Sequence, residues 1–439
     1  MADAAPRLTT LAEELLGAPL PVRIRAWDGS ESGPPNAPVL IIRNRRALRR
    51  LLWKPGELGL ARAWVAGEID VDGDLYALLE RLAGIIWERG TDVKDAVHPV
   101  LDPRMRAAAR GLVAIAGPWP PPAPPPEEIR RRHGATHTKR RDKEAISHHY
   151  DVGNDFYAMV LGPSMVYSCA YWDAGPGTGG APDAGSSLED AQRDKLDLVC
   201  RKLALKKGDR LLDVGCGWGS MALHAAREYG VRVTGITLSR EQAAYARERI
   251  AEEGLADLVE IRVQDYRDVK DGPYDAISSI GMAEHVGSVQ YREYADDLYA
   301  LLKPGGRLLN HQIARRPEKN EDEYRIDDFI DAYVFPDGEL APLGRTVATL
   351  EEAGFEARDV ESIREHYALT LRRWVANLEK HWDRAVRATS PGRARVWRLY
   401  MAASALSFET NRIGVNQILA VRPPENGASG MPLRARDWR

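Results

Sequence analysis

Cysteine is scarce in this chain, which has only Cys169, Cys200 and Cys216 among its 439 residues. No two of them form a C-x-x-C pair, so the sequence excludes a disulfide framework and a cysteine zinc site, and we expect no metal centre. Long apolar runs are also absent, because stretches such as LAGIIW fall far short of the ~18 residues of a membrane span. The chain is therefore expected to fold as a reduced, soluble protein.

A strong charge of either sign is lacking as well, since the formal net charge is -3. Nucleic-acid-binding proteins carry a broad basic field, so nucleic acid is not an expected partner. The N-terminus, MADAAPRLTTLAEELLG, has no basic segment followed by an apolar one, and we expect a cytoplasmic location. The length of the chain favours two structural units over one.

A proline-rich stretch, GPWPPPAPPPEE, divides the sequence at residues 117–128. Proline runs favour extended geometry and act as semi-rigid spacers. We therefore predict an N-terminal domain at 1–116, a Pro-rich and basic linker at 117–140, and a larger domain at 141–439. Short strand-like and helical pieces alternate in the first part, which predicts a smaller α/β or mainly helical domain.

After the linker, short runs rich in Val, Ile and Leu alternate with helical patterns. The runs are RLLDVGCG, VRVTGITL, VEIRVQD, YDAISSIGM, GRLLNHQI, GFEARDVESI and GVNQILAVR. Alternation of this kind predicts an α/β fold with a mostly parallel, seven-stranded sheet that has helices on both faces.

The loop after the first of these strands, LLDVGCGWGS, places Gly215, Gly217 and Gly219 between a strand and a helix. Glycine lets a backbone approach a ligand closely, and a helix start offers free N–H groups. The spacing D-x-G-x-G-x-G differs from the G-x-G-x-x-G of dinucleotide sites. A plain strand–helix turn and a dinucleotide site remain the alternatives. Asp213 is placed either to accept hydrogen bonds from an amino-acid ammonium group or to order the loop.

The third strand is followed by QDYRD, which sets Gln264 and Asp265 where the edge of an adenine can be bound. This order of strand, glycine loop and QD resembles the Rossmann-like S-adenosylmethionine-binding fold of class I methyltransferases. One element departs from that pattern. The second strand ends in TGITLSREQ and offers Thr237, Leu238 and Gln242 in place of the usual acid for the ribose hydroxyls.

Eight motifs in combination resemble the cyclopropane-fatty-acyl-phospholipid synthase family, which includes the mycolic acid cyclopropane synthases. They are HYDVGNDFY, YSCAYW, LDVGCGWG, TLSREQ, QDYRD, EHVG, YVFPDGEL and HYALTL. The N-terminal stretch WVAGEIDVDGDLYALL is similar to the smaller domain of phospholipid-acting members. The resemblance implies that 1–116 is a lipid- or membrane-associated domain and that 141–439 is a methyltransferase catalytic domain.

The resemblance, together with the loop patterns above, implies two sets of site residues. The expected S-adenosylmethionine-binding residues are Tyr167, Ser168, Asp213, Gly215, Gly217, Gly219, Thr237, Leu238, Gln242, Gln264 and Asp265. The positions that surround a bound bicarbonate ion in the family are matched by Cys169, Glu284, His311, Ile313 and Tyr367. Bicarbonate is therefore a second expected cofactor.

Glu284 and His285 follow an apolar run near the end of a strand, where an unpaired charge is costly. Methyl transfer from a sulfonium to a cis double bond leaves a carbocation, and the substrate has no amine or hydroxyl to release a proton. Glu284 is expected to accept from the bicarbonate hydroxyl, with Tyr367 and His311 donating and backbone groups completing the shell. Spacing alone also allows Glu284 to cap a helix or pair with an arginine, and His285 is expected to be structural.

Aromatic faces near the cation are expected to stabilise it by cation–π contact. The candidates are Tyr167, Tyr171, Trp172, Tyr333 and Phe335.

Three departures from the family bear on the product. Ser404 stands where many members carry a cysteine, Ala283 stands where an aromatic is common, and the Gly/Pro loop after Trp172 is long. Immediate loss of a proton from the new methyl group closes a cyclopropane, whereas a prior hydride shift gives a methylene branch. Ala283 and the segment SFETNRIGVNQILAVRP resemble the actinobacterial branch that makes 10-methylene acyl chains. Cyclopropane closure, a methyltransferase acting on a polar small molecule or RNA, and an inactive cofactor-binding scaffold are the alternatives.

The implied substrate is a membrane phospholipid with an unsaturated acyl chain, reached by peripheral contact with the inner face of the cell membrane. RNRRALRRLLW is a candidate interfacial helix, and RRRHGATHTKRR at 130–141 is a second basic cluster that can attract anionic head groups. A solvated helix face and a charged linker are the alternatives. A flavin- or NADPH-dependent reductase acting on the methylene product and a homodimer are further partners that stay open.

Overall fold

The structure is a computed structural model of the chain. It describes residues 3–94, 103–117, 120–129, 138–139, 141, 152–173, 186–321 and 324–432. The chain folds as two compact units. Unit 1 comprises Met1–Arg131, Asp327–Val334 and Thr389–Leu406, and unit 2 comprises Arg132–Ile326, Phe335–Ala388 and Ser407–Arg439. Two later segments of the sequence therefore fold with the N-terminal region.

Unit 1 contains a small sheet with helices, which is the α/β alternative of the sequence prediction. Its strands are β1 (Arg23–Arg25), β2 (Glu31–Ser32), β3 (Val39–Ile42) and β4 (Ile69–Asp72), in the order β2-β1-β3-β4. The helices before the linker are α1 (Ala4–Leu16), α2 (Arg46–Trp53), α3 (Glu57–Val65), α4 (Leu75–Lys94) and α5 (Pro103–Ala116).

Unit 2 is built on a seven-stranded sheet. The strands are β5 (Arg210–Val214), β6 (Arg232–Thr237), β7 (Val259–Val263), β8 (Tyr274–Ile280), β9 (Leu302–Arg315), β10 (Glu356–Ser362) and β11 (Ile413–Val421). Their order is β10-β11-β9-β8-β5-β6-β7, and β11 runs antiparallel to both of its neighbours while the pairs from β9 to β7 are parallel. The predicted mostly parallel, seven-stranded sheet is confirmed.

Further helices are described after the linker, and some of them alternate with the strands of the large sheet. They are α6 (Asn154–Leu161), α7 (Leu188–Leu203), α8 (Ser220–Tyr229), α9 (Arg240–Glu252), α10 (Tyr291–Leu301), α11 (Asp328–Tyr333), α12 (Leu343–Glu352), α13 (Arg364–Lys380), α14 (Trp382–Ala388) and α15 (Pro391–Glu409). Successive residues of a strand point to opposite faces, so Leu211 joins the apolar cluster under α7, α8 and α9, and Leu212 joins the one under α10 and α12. Both faces of the sheet are thereby covered.

Helix α2, the candidate interfacial helix, packs partly into unit 1. Leu48 is 2% exposed and Arg50 is 4% exposed. The Arg50 guanidinium donates to Glu68 Oε2 at 2.7 Å and to the Ala123 carbonyl at 2.9 Å. Arg50 is therefore internal, and its expected place on a lipid-facing basic surface is wrong, whereas Trp53 at the end of the helix is 56% exposed.

Two features predicted from the sequence fall largely outside the described residues. They are the basic cluster, of which only 138, 139 and 141 are described, and residues 174–185 of the Gly/Pro loop. Within the described ranges, no helix combines the length and the apolar character needed to cross a bilayer.

The buried ion pair of unit 1 gives a first prediction. Glu68→Gln leaves the Arg50 guanidinium buried without its carboxylate, and breaking such a pair costs about 3–5 kcal/mol. Asp72→Asn on the same segment removes the Arg25–Asp72 pair, whose side chains are 38% and 55% exposed, and should cost less than about 1 kcal/mol. Hydrogen exchange of the α2 and β4 amides measures both losses. Equal losses of protection in the two variants would contradict the prediction.

Candidate functional site

A cavity opens at the carboxyl ends of the parallel strands of unit 2, which is where open α/β sheets bind their ligands. Its walls are the turns that follow β5, β6, β7 and β8. Among the predicted cofactor residues, those that line it are Gly215, Gly217, Thr237, Leu238, Gln242, Gln264 and Asp265. The cavity thus brings together predicted cofactor residues from three separate turns.

The glycine loop after β5 takes a shape that other residues adopt only with strain. Gly215 and Gly219 have φ of +78° and +81°, in the left-handed region. A Cβ at Gly219 would lie 3.0 Å from the Cβ of Ala246 on α9, so this glycine also allows α8 to begin close to α9. The loop backbone, rather than a side chain, therefore forms this wall of the cavity.

The turn after β6 holds a neutral pair in place of the usual acid. The Thr237 hydroxyl donates to Gln242 Oε1 at 2.8 Å, and the Ser239 N–H donates to Thr237 Oγ1 at 3.2 Å. Ser239 also caps α9 by accepting from the Gln242 N–H. A ribose at this wall would meet a hydroxyl and an amide instead of a carboxylate.

In the turn after β7, the side chains of Gln264 and Asp265 both form hydrogen bonds to residues that follow them closely in the chain. The Asp265 carboxylate accepts from the Arg267 N–H at 3.0 Å and from its guanidinium at 2.7 and 2.8 Å. The Gln264 amide donates to the Asp268 carbonyl at 2.9 Å. Desolvation opposes the ionised form of Asp265, but the bonds to Arg267 hold its pKa below the ordinary value. Asp265 is therefore a fixed carboxylate on the cavity wall.

A buried polar cluster lies behind the glycine loop. Asp213 Oδ1 accepts from the Ser278 hydroxyl at 2.8 Å, and its Oδ2 is buried without a hydrogen-bond partner among the described residues. Burial raises the pKa of Asp213 to about 6. The unpaired oxygen suits a positively charged group such as the ammonium of S-adenosylmethionine, so the residues present fit that cofactor.

Helix α7 supplies two side chains that hold Ser168. The Lys195 ammonium donates to Ser168 Oγ at 2.9 Å, and the Gln192 amide donates to the Ser168 carbonyl at 2.9 Å. Lys195 is 1% exposed, and burial lowers its pKa to about 8. Ser168 is thus fixed through both its backbone and its side chain.

Glu284 lies in a short 3-10 turn, Ala283–His285, that follows β8. Its Oε1 accepts from the Ile313 N–H of β9 at 2.7 Å. The residue as a whole is half-buried, but Oε2 is shielded from solvent and has no hydrogen-bond partner among the described residues. Burial raises the pKa of Glu284 to about 7. The Ile313 N–H, expected to contact bicarbonate, here orients Glu284.

His311 stands two residues before Ile313 on β9 and is 2% exposed. Its Nδ1 is 3.4 Å from the amide nitrogen of Gln417 on the neighbouring strand β11. Its Nε2 is buried without a partner among the described residues. Burial, together with the positive charges of Lys195 and Lys202, holds the pKa of His311 well below its usual value, so the ring is neutral.

Cys169 and Tyr367 are the two remaining predicted anion-binding residues. The segment that carries Cys169 contacts the helix that carries Tyr367. Cys169 is fully buried, its thiol is 3.6 Å from the Ile363 carbonyl, and burial raises its pKa well above the usual value. The next residue, Ala170, donates its N–H to Thr370 Oγ1 at 3.1 Å. Tyr367 is 7% exposed on α13, the helix that also carries Thr370. Cys169 is therefore a thiol rather than a thiolate.

Two unpaired polar atoms thus occur among the five predicted anion-binding residues, Glu284 Oε2 and His311 Nε2. Each atom can bond to an anion that carries a hydroxyl group, such as bicarbonate: the carboxylate oxygen can accept from the hydroxyl, and the imidazole Nε2 can donate to an anion oxygen. The residues present fit that group. Within this set, the Ile313 N–H donates directly to Glu284 Oε1.

A family model described as mycolic acid cyclopropane synthetase matches residues 137–418. The chain belongs to this family. It is 45% identical over 419 residues to a probable fatty acid methyltransferase of Mycobacterium tuberculosis, with 94% of both chains covered. It is 39% identical over 279 residues to the cyclopropane-fatty-acyl-phospholipid synthase of Escherichia coli K12, with 64% of this chain and 68% of that one covered.

Among solved structures, a mycolic acid cyclopropane synthase complexed with SAH and CTAB is 30% identical, with a TM-score of 0.58. The match covers 64% of this chain and 98% of the other. Fold, cofactor cavity and relatives agree that this member of the cyclopropane synthase family is an S-adenosylmethionine-dependent methyltransferase, as the sequence predicted.

Aromatic rings form a continuous series in unit 2 of this cyclopropane synthase family member. The centroid distances are 4.6 Å for Trp218–Tyr157, 5.7 Å for Tyr157–Tyr167, 5.4 Å for Tyr167–Trp374, 6.0 Å for Trp374–Tyr367 and 4.7 Å for Tyr367–Phe408. The series begins in the glycine loop and reaches Tyr367. Such rings can stabilise a cation through their faces.

Of the five aromatic residues predicted for this role, Tyr167 alone belongs to the series. Tyr171 stacks on His366, Trp172 donates to the His366 carbonyl and Thr370, and Phe335 packs against His285. Tyr333 lies in unit 1 and donates to Glu128 there. Four members of the series were not predicted from the sequence, although one of them, Trp218, stands inside the glycine motif; they are Tyr157, Trp218, Trp374 and Phe408.

Lys195 and Gln192 were also missed, and a signal for them is present. They lie three residues apart on the buried stripe of α7, and Lys202 lies seven residues beyond Lys195 on the same stripe. Charged residues at apolar positions of a helix indicate internal pairing or a site. His285, expected to be structural, lines the cofactor cavity.

The raised pKa of Glu284 predicts a pH-dependent stability. The folded protein keeps the Glu284 proton up to about pH 7, whereas the unfolded chain releases it near the ordinary value of 4.5. Ionised Glu284 therefore lowers stability progressively between these values and by a constant amount above pH 7. The melting temperature of Glu284→Gln relative to the native protein should rise through this window.

Exposed Glu318 offers the control, because Glu318→Gln changes the same functional group outside the site. Its melting temperature relative to the native protein should not vary over the same pH range. A Glu284→Gln difference that is equally flat would show that the folded-state pKa of Glu284 is not raised.

Proposed function

We propose that this protein transfers a methyl group from S-adenosylmethionine to the cis double bond of an unsaturated fatty acyl chain in a phospholipid. The observation that carries the proposal is Glu284, a carboxylate with a shielded, unpaired Oε2 at the end of the sheet. An amine or hydroxyl acceptor loses its own proton easily, whereas an alkylated alkene must lose one from carbon. The names of the Mycobacterium tuberculosis and Escherichia coli relatives support a fatty acyl substrate.

The residues of this chain have separable roles in the proposed reaction. Asp213 and the glycine loop would hold the amino-acid end of the cofactor, and Thr237 with Gln242 would hold its ribose. Bicarbonate, when bound, supplies a base that can remove a proton from carbon. Glu284 would accept a hydrogen bond from it, and neutral His311 would donate from Nε2.

The site must also stabilise the positive charge that forms on the acyl chain. A carbocation in an apolar site needs stabilisation that does not itself react with it. The rings of Tyr167, Trp374 and Tyr367 are neighbours in the aromatic series. A ring of this series that faces the cation would provide this stabilisation, on the order of 1–2 kcal/mol when desolvated.

We propose a 10-methylene-branched acyl chain as the product, with cyclopropane closure as the second candidate. Ala283 is 6% exposed and directly precedes Glu284 in the turn after β8, and a small side chain at this position would leave room for a hydride shift before proton loss. The name of the Escherichia coli relative favours the cyclopropane. Both products add one CH2 to the acyl chain, so ozonolysis before mass spectrometry is needed, because it cleaves the methylene and spares the ring.

Glu284→Gln should abolish most of the turnover while leaving cofactor affinity unchanged. Loss of a positioned proton acceptor typically costs about 10²- to 10⁴-fold in rate, and glutamine keeps the shape and an acceptor for the Ile313 N–H. Turnover is measured with labelled cofactor and phospholipid vesicles, and cofactor affinity by calorimetry. Added bicarbonate should not restore the variant.

Glu318→Gln serves as the matched control and should retain native turnover. Full activity of Glu284→Gln on vesicles would remove Glu284 from the reaction. Methylation of RNA or of a polar small molecule in place of lipid would overturn the proposed substrate class.

We also propose peripheral contact with the inner face of the cell membrane through the end of α2, because the substrate resides in a bilayer. Trp53 is 56% exposed there, and the Arg46 side chain is 60% exposed. Trp53→Ser should reduce sedimentation with anionic vesicles several-fold, since insertion of an exposed indole is worth about 1–2 kcal/mol. Val360→Ser, at a residue 44% exposed in unit 2, is the control, and equal sedimentation of both variants would refute this contact.

A further inference from the structure

Every turnover of the proposed reaction releases one proton inside the protein. The carbon–sulfur bond of the sulfonium breaks as the methyl group bonds to the alkene, and a C–H bond of the resulting cation then releases its proton. Cofactor product and acyl product are both neutral, so the proton must reach solvent before the next cycle. Glu284 would receive this proton through the hydrogen bond that it accepts from the bound anion, and the anion would return to its starting form. The shielded Glu284 carboxyl then needs a route by which it can pass the proton outward.

A second cavity is lined in part by Glu284. None of its lining residues also lines the cofactor cavity. Its volume is about 20 Å³, enough for one water molecule. The lining residues are Ala283, Glu284, Gly287, Ser288, Tyr291, Gln312, Ile313, Glu339 and Ala341. His285, the next residue after Glu284, lines the cofactor cavity instead.

Three of these lining residues can titrate, and one of them is not suited to carry a proton. The Tyr291 hydroxyl donates to Gln312 Oε1 at 2.5 Å, and the Gln312 amide donates to Thr346 at 2.6 Å. Burial raises the pKa of Tyr291 well above its ordinary value, so its proton stays in place. The two remaining groups are the carboxyls of Glu284 and Glu339.

Glu339 is tied to Glu284 and also reaches solvent. Its N–H donates to the Glu284 carbonyl at 3.1 Å. Its Oε2 accepts from the Ser288 N–H at 2.9 Å in an exposed hydrogen bond, and the residue is half-buried. One glutamate of the cavity is therefore shielded, and the other meets water.

We propose, on the basis of the function above, that Glu339 is the proton exit of this site and carries the proton of Glu284 to solvent through the small cavity. The O–H bond at Glu284 breaks as an O–H bond forms at Glu339, directly or through one water molecule. Glu339 then gives the proton to bulk water, and both carboxylates are regenerated. The step needs no oxidant, reductant or further reactant.

The test follows the Glu284 carboxyl in the cofactor-free protein. A rapid pH jump through about 7 deprotonates Glu284, and time-resolved infrared spectroscopy records the loss of its protonated carboxyl band, assigned by its absence in Glu284→Gln. Glu339→Gln keeps an acceptor for the Ser288 N–H but cannot carry a proton. Deprotonation in this variant should be about tenfold slower or more, in line with the size of single proton-transfer contributions.

Two further measurements distinguish a loss of proton transfer from a structural effect of the Glu339→Gln substitution. Formate, a small carboxylate that can enter from solvent, should restore the rate in Glu339→Gln, and Glu318→Gln should deprotonate at the native rate. Deprotonation of Glu339→Gln at the native rate would overturn the proposal. A slower rate that formate leaves unchanged, or that Glu318→Gln shares, would overturn it too.

Single turnovers with a pH-indicator dye connect the exit to the reaction. In the native protein, proton release should keep pace with product formation, and in Glu339→Gln it should lag behind. Release that keeps pace in both proteins would contradict the exit. Product formation that is indifferent to bicarbonate would instead contradict the proposed function, while the pH-jump result on Glu284 would still stand.

Discussion

The hydrogen bond from the Ile313 N–H to Glu284 Oε1 is the constraint on which the site depends. It joins the turn after β8 to the body of β9, so the carboxylate is fixed by the sheet rather than by a flexible loop. With one oxygen held, the other stays unpaired and shielded, at a cost that the packing of the sheet offsets. A carboxylate kept in this state is poised to bind a hydrogen-bond donor.

Two buried lysines of unit 2 affect the protonation state of His311. Lys195 and Lys202 are buried on one stripe of α7, with Lys202 paired to Glu361 at 2.5 Å. Their charges, together with burial, help to keep His311 neutral. The site therefore combines one acid with a raised pKa and one base with a lowered pKa, and neither neutralises the other.

The sequence allowed the strands and the glycine loop to be predicted because each has a local signature. Buried parallel strands give continuous apolar runs, and Gly215 and Gly219 require backbone angles that other residues avoid. Features that depend on distant parts of the chain were not predictable. The aromatic series joins Tyr157 to Phe408, and the internal place of Arg50 depends on Glu68 and on a carbonyl of the proline-rich stretch. Tyr333, expected near the cation, folds with unit 1.

Strand β11 has a consequence for how the enzyme is completed. It enters between β9 and β10 and supplies Gln417 beside His311, whereas the cofactor cavity is made by turns that precede it in the chain. During synthesis, the cofactor pocket can therefore form before the imidazole acquires its neighbour. Gln417 is thus the last of these groups to be synthesised, and the surroundings of His311 are complete only after the end of the chain has joined the sheet.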